Sequence, residues 1–261
     1  MTRQTVLLVY GGESEGREAS LRSARSVYAA MDGEKYETLL CYVDPHGKWW
    51  LLERWVDVLE EHGGTQLIAA LGSRSFLELP GYAIVHPDVI FPLLANDKEN
   101  ERAIHLAQLL NLAVVAYPRD TGFFARHIEQ WITLGKMDII YDTATDVPED
   151  IIMIAVMGTA KEPQKSIAAY VTPVADDDSL RSVSDEKLAK EAAACASHLF
   201  EALRCRGYAL VELHRRGEIL SLGCITMMPD LSSTGVFLKL WRMSGVHYPT
   251  VVDALIATAR K

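Results

Sequence analysis

The chain has 261 residues, of which 49% are hydrophobic and 23% charged, and its formal net charge is −9 at pH 7. This length and composition are typical of a globular protein with one large domain or two small ones. The acidic charge, without a lysine or arginine cluster, argues against a nucleic-acid partner. No apolar run approaches the ~20 residues of a membrane helix and no secretion leader is recognisable, so we expect a cytoplasmic protein without a membrane partner.

A strand, a glycine turn and a helix are predicted near the N-terminus. Residues 6–10, VLLVY, form a continuous apolar run that stops at Gly11 and Gly12, as expected for a buried strand. Such a turn can hold an anion on backbone N–H groups. Alternatively, the glycines only permit a tight exit from the strand, with Ser14 or Ser20 capping the helix. The helix is indicated by residues at helical spacing, namely Leu21, Ala24, Tyr28 and Met31.

The rest of the N-terminal region continues the alternation of strands and helices. Residues 36–44 and 88–94 are predicted strands, and residues 100–112 a helix. Between them, PHGKWWLL at 45–52 indicates a turn and a short hairpin arm, on which Trp49, Trp50 and Trp55 are expected to pack. The alternation over residues 1–118 predicts a flavodoxin-like domain, with a parallel sheet and crossover helices.

A mixed pattern follows, which predicts an α+β domain over residues 151–261. The predicted elements are a helical segment at 122–135, strands at 150–158 and 166–174, a helix, a hairpin at 207–225 that turns at Arg216-Gly217, and a C-terminal helix from Tyr248. The middle helix has one apolar face, formed by Leu188, Ala192, Cys195, Leu199, Phe200 and Leu203.

Four segments, in the same order along the chain, resemble motifs of the D-alanine–D-alanine ligases of the ATP-grasp superfamily. They are GGESEGREASLRSA (11–24), VIFPLL (89–94) followed by LNLAVVAY (110–117), FEALRCRGYALVEL (200–213), and ITMMPDLSSTGVFLKLWRMSGVHYPTVVDALI (225–256). The resemblance implies an N-terminal domain at 1–118, a shortened central ATP lobe at 119–150 and a remnant of the large ATP-grasp lobe at 151–261. It also implies two-fold dimers.

The family uses ATP and Mg²⁺ to join two D-alanines, through phosphorylation of the first carboxylate. By the resemblance, its substrate-binding Glu falls on Gly16, although Glu15 is next to it. A metal-binding Asp falls on Glu212, which keeps its carboxylate. The family's GEDG stretch falls on ENER at 99–102, and its other functional positions hold residues of different chemistry, namely Ala95-Asn96, Gln130, Leu210, Cys224, Thr226 and Gly235.

Few residues of this chain correspond to the central part of the family's nucleotide site. Only the 20 residues at 131–150 separate the first ATP-contacting position from the next matching strand. They contain one lysine, Lys136, and no glycine/serine phosphate loop. The small ATP lobe is therefore predicted to be largely missing, and we expect neither ATP nor Mg²⁺ as a cofactor.

Two residues, Glu212 and Cys224, have alternative interpretations. Glu212 is expected to be a solvent-facing strand residue, because one carboxylate without its partners makes a poor magnesium site. Cys224 is expected in the core; a nucleophilic role would need a base, for which His198 and His214 are near in sequence. The four cysteines, which form no CxxC pair, indicate reduced thiols and no zinc site: Cys41, Cys195, Cys205 and Cys224.

Three functions remain open. The first is an inactive ligase homologue with a binding, regulatory or partner-subunit role in cell-wall precursor synthesis, as a homodimer or in a heteromer with a full-length ligase. The second is an active D-alanine–D-alanine or derived amino-acid ligase with a rebuilt site. The third is a binder of an amino acid or dipeptide. No catalytic or metal residue is assigned, and the remnant of a substrate site comprises Gly11, Gly12, Ser14, Glu15, Ser20 and Glu212.

Overall fold

The computed structural model describes residues 2–12, 16–57, 63–115, 148–159, 161–165, 169–171 and 180–259. Within them the chain separates into two compact units. The first unit contains residues 1–119, 230–233 and 256–261, and the second contains residues 120–229 and 234–255. No helix among the described residues is long and apolar enough to cross a membrane. The predicted helix at 122–135 lies outside the described residues.

The first unit is built on an eight-stranded sheet with two helices. The strands are β1 (Gln4–Gly11), β2 (Tyr36–Val43), β3 (Trp49–Leu52), β4 (Thr65–Ala70), β5 (Ser75–Leu79), β6 (Ile84–Val85), β7 (Val89–Pro92) and β8 (Ala113–Val114), and the helices are α1 (Arg17–Ala30) and α2 (Asp97–Leu109). The strand order is β6-β5-β4-β3-β2-β1-β7-β8.

Only half of this sheet is parallel, which corrects the predicted flavodoxin-like pattern. Strand β1 pairs in parallel with β2 and β7, and β7 with β8. From β2 to β6 every pairing is antiparallel. The described residues between 49 and 85 therefore form a meander of short strands, β3 to β6, in which no crossover helix occurs. The predicted hairpin arm at 45–52 is confirmed, and the meander extends it.

The parallel half is buried on both faces, as its continuous apolar sequence indicates. Leu7 and Val9 of β1 belong to one core cluster with Ala103 and Ala107 of α2. Their neighbours along the strand are also fully buried. Helix α1 confirms its prediction, but its buried residues include two serines: Ser20, Ser23, Ala24 and Val27.

The tryptophans of the meander pack within the protein, as predicted. Trp49 stacks on Phe76 with the ring centroids 5.8 Å apart. Trp50 donates its indole N–H to Asp44 at 3.0 Å. Trp55 stacks on Tyr10 at 4.5 Å with nearly parallel rings.

The second unit contains an antiparallel sheet, whose order is β12-β11-β9-β13-β14 with β10 paired to β9. Its strands are β9 (Asp150–Thr159), β10 (Glu162–Lys165), β11 (Ala169–Val171), β12 (Arg181–Ser182), β13 (Arg206–Arg216) and β14 (Ile219–Met227). Among the described residues after β8 there are also three helices: α3 (Glu186–Ala202), which precedes β13, and α4 (Val236–Met243) and α5 (Tyr248–Thr258), which follow β14. The hairpin predicted at 207–225 is confirmed as β13 and β14.

Candidate functional site: the glycine turn and the β13–β14 cluster

The glycine turn follows β1, where the chain leaves the sheet toward α1. Gly11 and Gly12 have φ values of +98° and +115°, which favour glycine. A Cβ atom on Gly11 would lie 2.4 Å from the carbonyl oxygen of Val43 on the neighbouring strand. The glycines are therefore required by backbone conformation and by close packing.

Both glycine N–H groups are used inside the protein. Gly11 donates to the Ser20 hydroxyl oxygen at 2.9 Å, and Gly12 donates to the Val43 carbonyl at 2.8 Å. The predicted capping role of Ser20 is wrong, because its hydroxyl reaches back to the strand. Helix α1 begins after Gly16, and no side chain at this position caps its N-terminus. Ser14 and Glu15 lie outside the described residues.

A carboxylate of α2 lies directly against this turn. A Cβ atom on Gly12 would lie 2.4 Å from Oε2 of Glu99, and the Glu99 residue is only 6% exposed. Glu99 is placed by the first turn of α2, where its N–H donates to the side chain of the capping residue Asn96 at 2.9 Å. The next residue, Asn100, exchanges two hydrogen bonds with the backbone of Leu94 and fixes the end of β7. The space beside Gly12 thus contains a protein carboxylate.

Two more serines of α1 hold the segment that follows β14. Ser23 donates to Asp230 at 2.6 Å, and Ser26 accepts from the N–H of Ser233 at 3.1 Å. Asp230 also accepts from Ser232. Ser20, Ser23 and Ser26 recur every three residues, so they lie along one side of α1. This three-residue spacing of serines is a signal that the sequence itself carries.

A second cluster lies on β13 and β14 around Glu212. One carboxylate oxygen of Glu212 is 2.7 Å from Nε2 of His214, and the other accepts from the thiol of Cys224 at 3.6 Å. The side chains of Glu212 and His214 are 24% and 19% exposed, so Glu212 is a strand residue whose carboxylate is partly exposed to solvent and also contacts its two neighbours.

A bulge shapes this cluster. The register of β13 and β14 shifts between Glu212, which pairs with Cys224, and Leu213, which pairs with Leu222. Gly223 is the extra residue, and a Cβ atom on it would lie 2.4 Å from Nε2 of His214. The absence of a side chain at Gly223 lets the imidazole lie over the strand and reach Glu212.

Cys224 is exposed, which corrects its predicted place in the core. Partial desolvation and the Glu212 carboxylate raise the pKa of its thiol to about 11, so the thiol is protonated at neutral pH. His214 contacts Glu212, and His198 lies on the exposed side of α3. These contacts do not support the alternative of a cysteine–histidine nucleophile. All four cysteines are free thiols, as predicted.

The cluster provides a poor set of magnesium ligands. Mg²⁺ prefers oxygen ligands, especially carboxylates and water. Glu212 provides carboxylate oxygens, whereas the other two family positions provide a thiol from Cys224 and a hydroxyl from Thr226. Within the described part of the chain, no group of three His, Cys, Asp or Glu side chains is arranged to hold a metal ion.

Comparisons with known proteins agree on one family. The family model of the "D-ala D-ala ligase N-terminus" matches residues 5–112. A D-alanine–D-alanine ligase of Sodalis glossinidius is 24% identical over 355 positions, covering 99% of this chain and 95% of the relative. The ligase structure from Coxiella burnetii has a TM-score of 0.84 at 18% identity, with coverages of 99% and 94%. The VanG D-Ala:D-Ser ligase structure from Enterococcus faecalis has a TM-score of 0.82 at 14% identity, with coverages of 98% and 99%.

The length of the sequence alignment shows that this chain is aligned with gaps. Because this chain has 261 residues and the alignment with the Sodalis relative has 355 positions, at least 94 positions contain no residue of this chain. The coverage of both proteins is nevertheless almost complete. The missing positions therefore fall within the aligned length.

Proposed function

Because this chain is a shortened member of the D-alanine–D-alanine ligase family, we propose that it has lost ligase activity and serves as a binding, regulatory or partner subunit linked to cell-wall precursor synthesis. The observation that carries this proposal is the cluster around Glu212. There the carboxylate is engaged by His214 and Cys224, and the neighbouring positions offer sulfur and hydroxyl groups to a metal that prefers oxygen anions.

The glycine turn supports the same proposal. Its two glycine N–H groups bond to Ser20 and Val43, and Glu99 places a carboxylate beside Gly12. An incoming substrate carboxylate would meet the negative charge of Glu99 and would find both N–H groups in use. The turn is accounted for by the packing of β1 against α1 and α2.

The number of missing positions is consistent with loss of the small ATP lobe. The sequence motifs assign the gap to the region around residues 131–150, which lies largely outside the described residues. Triphosphate binding needs several cationic contacts, each worth about 1.5–3 kcal/mol, so the loss of four would weaken binding by about 6 kcal/mol or more. That is more than about four powers of ten in the dissociation constant.

Calorimetry with Mg·ATP, together with an assay for D-alanyl-D-alanine, tests this proposal. We expect no dipeptide and a dissociation constant weaker than about 100 μM, equivalent to about 5 kcal/mol of binding. A complete family ligase, assayed in parallel, is the positive control. Tighter binding or dipeptide formation would support the alternative of an active ligase with a rebuilt site. The single reversions Gly16→Glu and Cys224→Glu should restore neither activity, because neither restores the phosphate lobe.

The partner role is tested separately. We propose a homodimer or a heteromer with a full-length ligase, because the chain keeps the N-terminal region through which the resemblance implies two-fold dimers. Light scattering at tens of micromolar should show a dimer, or a new complex when the full-length ligase is added. A monomer that is unchanged by the ligase would contradict this part of the proposal.

A thermal-shift screen with amino acids and dipeptides tests the third function, that of a small-molecule binder.

A further inference from the structure

Strand β14 is the longest edge strand among the described residues. It has nine residues, and it pairs with β13 on one side and with no described strand on the other. The other edge strands are short, since β6, β8 and β12 have two residues each and β10 has four. The open side of an edge strand presents main-chain N–H and C=O groups to which a further strand can add.

Three of the other edge strands carry features that oppose the addition of a strand. Strand β6 lies between Pro80 and Pro87, β10 contains Pro163 between charged residues, and β12 begins with Arg181. Prolines and charges on an edge hinder pairing with another chain. The sequence of β14, ILSLGCITM, contains neither a proline nor a charged residue.

The main-chain groups on the open side of β14 can be assigned to particular residues. The bulge interrupts the strand, and the stretch at 224–227 after it keeps a regular register with β13. The N–H of Met228 donates to the Tyr208 carbonyl of β13 at 3.4 Å. Because the main-chain groups of a strand alternate in direction, those of Ile225 and Met227 point away from β13.

We infer that β14 is a contact between two copies of this chain, in which the stretches at 224–227 pair in antiparallel around a two-fold axis. When Ile225 of each copy pairs with Met227 of the other, all of these open groups are used and about four main-chain hydrogen bonds form. The exposed Thr226 of one copy then lies directly opposite Thr226 of the other. Threonines in this arrangement are favourable cross-strand neighbours.

A second copy fits this edge better than a partner of opposite charge. Each copy has a formal net charge of −9, so two copies repel each other except where their surfaces carry no charge. Two-fold pairing of the uncharged stretch at 224–227 places no like charges opposite each other. Because β14 belongs to the second unit, this contact differs from the N-terminal dimer proposed above, and it does not depend on the loss of ligase activity.

A disulfide across the two-fold axis tests the inference. Residues directly opposite each other at a non-hydrogen-bonded position of an antiparallel pair have Cα atoms about 4.5 Å apart, which suits a disulfide. In the whole chain with Cys224→Ser and Thr226→Cys, at tens of micromolar, oxidised glutathione should therefore produce a disulfide-linked dimer and release reduced glutathione.

Ile219→Cys in the same Cys224→Ser chain is the matched control. Ile219 is 55% exposed on the same strand but lies before the bulge, far from the two-fold axis. Its cross-linking, which reports random collisions between copies, should be about tenfold slower or more. The Cys224→Ser chain without a new cysteine should form no linked dimer.

A proline tests the main-chain hydrogen bonds. Ile225→Pro removes an N–H that points away from β13, a position at which an edge strand accepts proline. Added to the Thr226→Cys chain, it should slow cross-linking about tenfold or more, because it removes one main-chain bond from each copy. Ile84→Lys, at a 60% exposed position on the edge strand β6, is the control and should leave the rate unchanged. Circular dichroism verifies that each variant keeps its fold.

Several outcomes would overturn the inference. They are the absence of a linked dimer, equal rates for the Thr226→Cys and Ile219→Cys chains, and an unchanged rate in a folded Ile225→Pro chain. The comparison of the two cysteine positions stands even if the proline variant does not fold. A cross-link that disappears in an excess of full-length ligase would show that the edge takes a strand of that protein instead of a second copy.

Discussion

The glycine turn and the β13–β14 cluster have diverged in different ways from the pattern of the family. At the turn, the backbone has kept its shape, and neighbouring protein groups use the donors that a ligand would need. At the cluster, the two strands pair across a bulge, and the side chains there are a carboxylate, an imidazole and a thiol in contact with one another. Packing constrains the turn strongly, because Gly11 and Gly12 touch neighbouring elements.

Packing constrains the cluster less. Its side chains point from one face of a hairpin and are partly exposed, so their chemistry can change without disturbing the core. The comparison indicates that a fold element survives where the backbone itself needs the residue. The partly exposed side chains of the cluster are less constrained by packing than the two glycines of the turn. The following substitutions separate these two kinds of constraint, beginning with the largest expected effect.

Gly11→Ala should lower the free energy of unfolding by about 3 kcal/mol or more. The new Cβ atom would meet the Val43 carbonyl, and alanine would also have to adopt φ near +98°. Gly72→Ala is the matched control, because Gly72 has φ +85° but open space around its Cβ position. It should cost only about 1–2 kcal/mol. Urea denaturation measures both; equal losses would mean that close packing does not constrain the turn.

Ser23→Ala should cost about 1.5–3 kcal/mol, because it removes a partly buried hydrogen bond to the Asp230 carboxylate. Ser26→Ala removes an acceptor for one backbone N–H group and should cost about 0.5–1.5 kcal/mol. Denaturant midpoints of the two variants test whether the charged contact is the stronger one. A larger loss for Ser26→Ala would contradict this order.

Gly223→Ala should cost about 1–2 kcal/mol, less than Gly11→Ala, because the new Cβ atom meets a side chain that can move. The imidazole of His214 would be displaced from Glu212. In a His214→Ala background the same substitution should cost less than about 0.5 kcal/mol. A double-mutant cycle by urea denaturation measures this coupling, and additive losses would show that Gly223 is required for the bulge alone.

Glu212→Gln should speed alkylation of Cys224 by iodoacetamide at pH 8, by up to about tenfold per unit of decrease in the thiol pKa. The pKa of about 11 in the folded protein is raised in part by this carboxylate, so its removal increases the thiolate fraction. The raised pKa also contributes stability that is present below about pH 8.5 and is lost as the pH rises toward 11. Mass spectrometry of the modified peptide gives the rate, with buried Cys205 as the internal control. An unchanged rate would show that desolvation alone raises the pKa.

Local sequence patterns located the longer elements of the fold, but not all of the short strands or their pairings. The apolar run at 6–10 and the hairpin turn at Arg216-Gly217 are confirmed, because their signals lie within a few residues. The meander at 49–85 was partly missed, since its strands are only two to six residues long and carry little periodicity. The mixture of parallel and antiparallel pairing depends on which distant strands meet.

The candidate sites also combine features that the local sequence determines with features that depend on the tertiary structure. The sequence alone determined the strand–turn–helix at Gly11 and Gly12, because a buried strand that exits through positive φ requires glycine. Only the tertiary structure placed Glu99 against Gly12, paired Ser23 with Asp230 across 207 positions of sequence, and brought Glu212, His214 and Cys224 together through a bulge. Ser23 and Asp230 meet only because whole elements pack together, and the contacts around Glu212 depend on the position of the bulge, so no short motif encodes either feature.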